Sequence, residues 1–600
     1  MPSIPHHPVT TSTAHHADRR GSWALVVGAS IACLAVGFAP MPLWDEDEPR
    51  FAAIARTMLA TGDWVVPSYN GTLAVDKPVL MHWCMATAFA LFGPDERAAR
   101  LPAAVATLLA ALALWRAGSR WFSPATGVTA ALAFVGCLLV GIEAHAATPD
   151  AILTAATAWA TVLAAEPLIA ATSATARLSM RRALAVGGLC GLAVLCKGPI
   201  GLVGPAAVLG LWAWGCAAGT RVAASGQRGP REVIGGLWDA TVALRPLAIG
   251  VGMLAVAAPW YAAVSIRTGG EWPAGFFLVH NIGRFAAPME NHRGGLLFHV
   301  VGMLVGFFPW SCFLPLSVVL AGRRVAHGGG GLPQRRALAL GLVWLTVWLV
   351  GFSLSATKLP NYVLPAYPAA ALLVAALAVD ACRQTTWPHP RWLTAGVVSL
   401  ALGGVATAAT VLVASRHGLS DAEAAAAVGI IPVVGALACW WLRNRSPNGA
   451  LAALVLTGLV YTGLAVGPAA RRIATSNALP ELVEAAHRHA GGTARLAAFP
   501  QNTPTIVYYA RGQVREYARE QVREWPAEAA AAAADFLRSG PDAVLIVPAD
   551  HLTALEPFLP PRTAVVGRRR PLFKDQDFCL VGTFPDAGAA VGNAPARLHR

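Results

Sequence analysis

Thirteen apolar runs fill most of the first 470 residues, and a soluble fold has no place to bury them. They lie near 22–40, 98–118, 122–142, 150–170, 183–197, 199–217, 246–265, 297–320, 338–356, 362–380, 393–413, 428–442 and 450–467. A helix crossing a hydrocarbon core about 30 Å thick needs roughly 20 mostly apolar residues. Composition agrees: of 600 residues 56% are hydrophobic and 13% charged, where soluble domains carry about a quarter charged. The chain reads as a polytopic α-helical membrane protein of about 13 transmembrane helices.

Charge orients the runs. Arg116/Arg120, Arg177/Arg181/Arg182, Arg221/Arg228/Arg231/Arg245, Arg323/Arg324/Arg335/Arg336, Arg383/Arg391 and Arg443/Arg445 occupy alternate loops. Excess Lys and Arg mark the cytoplasmic side. The expected topology therefore has a cytoplasmic tail (1–21), a transmembrane domain (22–467) and a carboxy-terminal domain (468–600) on the outer, periplasmic side. The net charge of +14 is spread through these loops, where it serves topology, so no nucleic-acid partner is expected. Run 22–40 is long enough to span and is expected to be an uncleaved anchor. Ten Cys without a CxxC pair read as small buried residues.

Between the first two runs, 41–97 is too long for a simple loop. Phe51, Ile54, Met58 and Leu59 fall near helical spacing and 79–92 is a second short apolar stretch, so two helices lying in the interface are expected. Pro67 and Asn70-Gly71 supply the turn between them. After 470 the pattern becomes that of a small C-terminal α/β soluble domain. Thr505–Tyr509 and Val544–Val547 are expected strands, and Ala527–Phe536 an expected helix.

Polar clusters stand at the ends of apolar runs, and the topology puts all of them on the outer face. The first is Asp45-Glu46-Asp47-Glu48-Pro49-Arg50. Then follow Asp76-Lys77-Pro78, Thr148-Pro149-Asp150, Lys197-Gly198-Pro199, His280-Asn281 with Arg284, and Lys358-Leu359-Pro360-Asn361-Tyr362. Lys197 ends an apolar stretch of about 21 Å of helix. It therefore lies short of the interface, and Gly198-Pro199 should break the helix there. Lys77, Lys197 and Lys358 are the only Lys before the terminal domain. Ammonium groups suit phosphate oxygens. Asp47 and Glu48 are candidates for proton transfer or for holding a divalent cation. Asp150, opening its run, is also a natural helix N-cap.

In this order, Asp-Glu-x-Arg, Gly-Asp-Trp, Asp-Lys-Pro, Thr-x-Asp, Lys-Gly, His-Asn-x-x-Arg-Phe and Lys-Leu-Pro-x-Tyr resemble the bacterial GT-C glycosyltransferases over about residues 20–380. That family includes lipid A aminoarabinose transferases and relatives of protein O-mannosyltransferases. The resemblance implies an inverting transfer from an undecaprenyl-phosphate-linked sugar to a cell-envelope acceptor, at the outer face of the inner membrane. It implies catalytic roles for Asp47, Glu48 and Asp150. It also implies donor-phosphate contacts from Lys77, Lys197, Arg284, Lys358 and Tyr362, with Arg50, Asp76 and His280 as further site residues. A divalent metal ion stays open, with Asp76 and His280 as its ligands. Asp76 stands where aminoarabinose transferases tend to have Glu. A transporter or lipid-linked-sugar flippase is the alternative, since many spans with intramembrane charges fit that class as well.

Overall fold

The computed structural model describes residues 12–43, 46–173, 176–283, 294–383, 390–416, 423–474, 477, 479–492, 494–499, 503–517, 527–570 and 577–583, with side chains from residue 21 onward. Arg284, Asp45 and the loop residues 285–293 lie outside this set.

Among the described residues nine helices are long and apolar enough to span. They are α4 (Glu96–Trp121), α7 (Asp150–Ala170), α9 (Ile200–Ser225), α11 (Pro246–Arg267) and the helices Leu332–Leu354, Pro360–Arg383, Pro390–Arg416, Glu423–Leu442 and Pro447–Ala474. Helices α5 (Pro124–Val135) and α6 (Leu138–Ala144), bent by 67° at Gly136-Cys137, are long and apolar enough to span only when taken together. Three of the thirteen expected runs fall short, each for a local reason. In α1 (Ser12–Gly37) the apolar part is only Gly21–Gly37. Helix α8 (Met180–Lys197) carries Arg181, Arg182 and Lys197 within its 18 residues. Run 297–320 breaks at Phe307–Phe313, between the helices Phe298–Gly306 and Leu314–His327. The basic stretch after α9 holds a helix the run count misses, α10 (Pro230–Leu244), which starts on a Pro and leaves Ile234 and Trp238 exposed.

Boundaries follow local chemistry. Asp95 caps α4 by accepting from Ala98 N–H at 2.7 Å, and Ser123 caps α5 from Thr126 N–H at 3.2 Å. Helix α8 ends as expected, because Gly198 has φ +74° and Pro199 follows. Helices α8 and α11 cross with backbones nearly touching. A Cβ on Gly187 would lie 2.1 Å from Ile249 O, and one on Gly252 2.3 Å from Leu184 O. Small residues at a crossing are how membrane helices gain contact without a hydrophobic driving force. Leu247, Val251 and Leu254 of α11 point outward and are mostly exposed, as a lipid-facing surface should be.

The first loop folds into α2 (Asp47–Thr61), a two-residue hairpin of β1 (Ser68–Tyr69) with β2 (Thr72–Leu73), and α3 (Leu80–Phe92). Asn70 (φ +49°) and Gly71 (φ +81°) make the Asn-Gly hairpin turn. Phe51, Ile54 and Met58 are fully buried, in one cluster with α3 and residues of the terminal domain. Protein rather than lipid therefore covers α2, which differs from the expected interfacial helix.

The terminal domain is a five-stranded mixed sheet ordered β4 (Arg515–Glu516), β3 (Arg495–Ala498), β5 (Ala543–Pro548), β7 (Phe578–Thr583), β6 (Thr563–Arg569). β3 pairs in parallel with β4 and β5, while β7 is antiparallel to β5 and β6. The expected strand at 505–509 is instead the helix Pro504–Ala510. Pro504 opens it, and Ile506 and Val507 bury against the first loop, so tertiary packing overrides β-propensity. The loop and the domain are joined by polar contacts as well. Asn70 Nδ2 donates to Val514 O and Val514 N–H donates back to Asn70 Oδ1, both at 2.9 Å. Arg56 donates to Tyr508 O at 2.5 Å and Val507 O at 3.2 Å.

Candidate active site

The acidic motif at the start of α2 splits into two environments. Glu48 is buried and receives a two-toothed guanidinium from Arg100 of α4, at 2.9 Å (Nε) and 2.8 Å (Nη2). Ala147 N–H adds a third donor to the same carboxylate at 2.7 Å. Arg100 also donates to Met41 O at 2.9 Å and Pro42 O at 3.0 Å. The expected catalytic Glu48 is thus the centre of a knot holding α2, α4 and the α6–α7 turn together. Its neighbour Asp47 is left exposed on the wall of a cavity.

A second knot forms where α7 begins. Asp150 is buried and paired with Lys197, and its other oxygen accepts from Asn361 Nδ2 at 3.2 Å. It is the first residue of α7 and makes no capping bond there, so the N-cap reading does not hold. The Lys197 ammonium lies 4.6 Å from the centre of the Tyr362 ring, a cation–π contact. The π-helical segment Gly275–Gly283 packs over the same turn, since a Cβ on Gly198 would meet Phe276 at 2.6 Å. His280 sits in that segment, half-buried.

Between the knots lies a cavity of about 570 Å³ lined by Asp47, Glu48, Glu143, Thr148 and Asn361 on its polar side, with Val466 and Ile473 among its apolar residues. Next to it runs an apolar groove of about 510 Å³ formed by Phe298, Val301, Val305 and Pro360. Leu138 and Ile142 of α6 border both spaces. A polar chamber and an oily channel therefore share one wall.

The remaining expected residues distribute unevenly. Asp76 pairs with Arg50 at 3.5 Å, and Arg50 lies 5.1 Å from the Tyr69 ring centre. Burial works against the Asp76 charge, but Arg50 and then Lys77 outweigh it and hold the carboxyl below its ordinary range. Lys77 donates to Asp76 O at 3.3 Å. Beside them His82 is pushed down to about 4 by burial, against the pull of Asp76. Lys358 is buried with its ammonium on the carbonyls of Ser353 (2.5 Å) and Phe352 (3.4 Å). It caps the negative end of the helix Leu332–Leu354. A divalent ion does not fit the Asp76 surroundings, which already hold two cationic side chains. Among the described residues no three His, Cys, Asp or Glu converge as ligands.

Over residues 76–223 the chain matches the family described as dolichyl-phosphate-mannose-protein mannosyltransferase. A relative from Pseudomonas aeruginosa, named undecaprenyl phosphate-alpha-4-amino-4-deoxy-L-arabinose arabinosyl transferase, is 29% identical over 83% of this chain and 87% of its own length. The relative of that name from Erwinia tasmaniensis is 29% identical, and the match spans 63% of this chain and 62% of the relative, under two thirds of its length. The crystal structure of ArnT from Cupriavidus metallidurans bound to undecaprenyl phosphate superposes with a TM-score of 0.72 at 22% identity, covering 94% of this chain and 98% of that one. The chain shares the fold of that structure. Within that fold, two residues at the cavity end are not announced by the sequence motifs. Arg100 is an isolated Arg just inside an apolar run, and Glu143 sits where another run was expected to have just ended. The signal for both was a charge where a span should be apolar.

Proposed function

We propose that this protein is a GT-C inverting glycosyltransferase. In this reading it moves a sugar from a polyprenyl-phosphate carrier to a cell-envelope acceptor at the periplasmic face of the inner membrane, with a cytoplasmic amino terminus and a periplasmic terminal domain. The observation that carries the reading is the polar cavity joined across α6 to an apolar groove, with Asp47 on the polar side. An amphiphilic donor needs both spaces: the prenyl chain lies in the groove and the sugar projects into the cavity. The names of the curated relatives, which specify an undecaprenyl-phosphate-linked sugar, support the donor class.

In the reaction an acceptor oxygen attacks the anomeric carbon from the face opposite the phosphate. The bond from that carbon to the phosphate oxygen breaks and polyprenyl phosphate leaves. Asp47 takes the proton of an attacking hydroxyl. Lys197, Tyr362 and Lys77 face the growing negative charge of the leaving phosphate, and Arg284 joins them on its motif alone. Fixed cations aimed at developing charge act strongly because they need no reorganisation. Asp150 and Asn361 hold Lys197 in place, and Glu48 with Arg100 fixes the start of α2 and so the position of Asp47.

The test is release of polyprenyl phosphate from a mixed pool of lipid-linked sugars, with membrane extract as acceptor. Wild type should release it, and Asp47→Asn should be slower by about 10²- to 10⁴-fold. Equal release by both removes Asp47 from the chemistry. Absence of release, with lipid-linked sugar still bound, favours a flippase.

A further inference from the structure

Glu143 is a buried carboxyl on the cavity wall that neither knot employs, unlike the exposed Asp47. It lies on α6 and is 6% exposed, and it lines the chamber that also holds Asp47. Its single hydrogen bond among the described residues comes from Thr148 Oγ1 to Oε2 at 2.8 Å. No Lys, Arg or His lies within ion-pair distance of it among those residues. The other charged groups of the wall are accounted for differently. Glu48 is neutralised by Arg100. His145 turns both ring nitrogens to backbone, Nδ1 at 2.7 Å from Gly141 O and Nε2 at 2.7 Å from Leu34 O. The lining contains neither Lys nor Arg, and the nearby Lys197 is held by Asp150.

A carboxylate this deep, whose one side-chain hydrogen bond is from a hydroxyl and whose carboxylate neighbours Asp150 and Glu48 repel it, is costly, and a membrane setting raises the cost. Such a group is kept where a ligand completes it. We propose that Glu143 is the specificity-determining residue of the cavity, the counter-ion for an ammonium group on the substrate. The inference rests on the transfer reading above and deepens it, because it assigns a residue to substrate choice. The ammonium can sit on the donor sugar or on the acceptor. In either place the carboxylate would distinguish an amine from a hydroxyl of nearly the same size by charge rather than by shape. The Thr148 hydroxyl fixes the carboxylate rotamer, so that Oε1 meets the incoming group.

The experiment measures binding and transfer with the purified full-length protein. Donors are undecaprenyl phosphate carrying 4-amino-4-deoxy-arabinose and the same lipid with a hydroxyl in place of the amine. Acceptors are a lipid extract before and after acetylation of its amines. Wild type should favour the amine form in one arm by roughly 10- to 100-fold in Kd or KM, the range of a charge-assisted hydrogen bond. Glu143→Gln keeps the size and the bond from Thr148 but should reduce that preference to within about threefold. Glu143→Asp, which keeps the charge, should retain part of the preference. A purely structural Glu143 would weaken both forms of the substrate alike, and that result overturns the proposal. So does an amine preference undiminished in Glu143→Gln, or wild type that does not discriminate in either arm, a measurement that stands even if the Gln variant fails to fold. Failure of wild type to transfer any lipid-linked sugar sinks the transfer reading instead, while the binding arms still judge Glu143.

Discussion

The same three helices carry charge at both ends, and the two ends behave differently. At the cavity end, α4 supplies Arg100, α7 supplies Asp150 and α8 supplies Lys197. At the other end the same helices supply Arg116 and Arg120, Glu166, and Arg182, with about 24 Å of helix separating the layers on α4 or α7. Glu166, itself 9% exposed, gathers Arg116 at 2.9 Å, Arg120, and Arg182 at 4.0 Å, and these three Arg side chains are 27–46% exposed. At the cavity end both partners of the Glu48–Arg100 pair are at most 5% exposed. An exposed pair gains little over hydration. A buried pair is weak as a net stabiliser, yet breaking it is severe because one charge stays behind unmatched. The far layer therefore anchors and orients, while the cavity layer fixes geometry.

That contrast can be broken experimentally, most sharply at Arg100. Arg100→Leu leaves the buried Glu48 without its guanidinium partner and should cost about 3–5 kcal/mol, read as a large drop in thermal unfolding temperature. Combining it with Glu48→Gln should recover much of the loss. If the single and double variants melt alike, Glu48 is not the group that suffers.

Acid tests the cavity side next. His82 in the fold stays neutral down to about 4, whereas its ordinary value is 6.5. Between these the unfolded chain binds the extra proton, so stability should fall as pH drops from 6.5 to 4, by up to about 3 kcal/mol. The depressed carboxyl of Asp76 adds its own loss only below its ordinary 3.8. His82→Gln should flatten the upper window and leave the lower one, which a pH series of melting curves resolves. Smaller still, Asn70→Ala removes two backbone contacts and should cost about 1–2 kcal/mol, with protease sensitivity rising around residues 511–515. At the far end, Arg324→Gln breaks the pair with Asp380, 2.5 Å long and more than a third exposed on both sides. It should shift stability by no more than about 1 kcal/mol, and a shift as large as that of Arg100→Leu would erase the distinction between the layers.

Much of this was legible in the sequence where a feature is local. Gly198-Pro199 breaks its helix, Asn70-Gly71 turns its hairpin, and the run 150–170 coincides with α7 because Pro149 and a span length of apolar residues define it. Features set by distant partners were not legible. Nothing near Glu48 announces Arg100, 52 positions later, so a buried, paired carboxylate and an exposed one on the cavity wall look alike side by side. Lys358 and Lys197 have the same residue type and similar flanks. Only the fold turns the first toward helix carbonyls and the second toward Asp150 and Tyr362. Glu143 was passed over because the span boundary was drawn one residue before it. The helix at 504–510 was mistaken because its β-branched residues pack on another part of the chain.

The clasp between Asn70 and Val514, with Arg56 reaching two more carbonyls of the terminal domain, has a consequence for how such proteins change over evolutionary time. The terminal domain is fastened to the loop whose first turn presents Asp47, so it cannot be exchanged like a detachable accessory. A chimera that grafts a foreign tail onto this body would have to bring a matching edge for the hairpin to grip. Without that edge the graft would dislodge the acid at the mouth of the chamber, even though every residue of the chamber itself were kept.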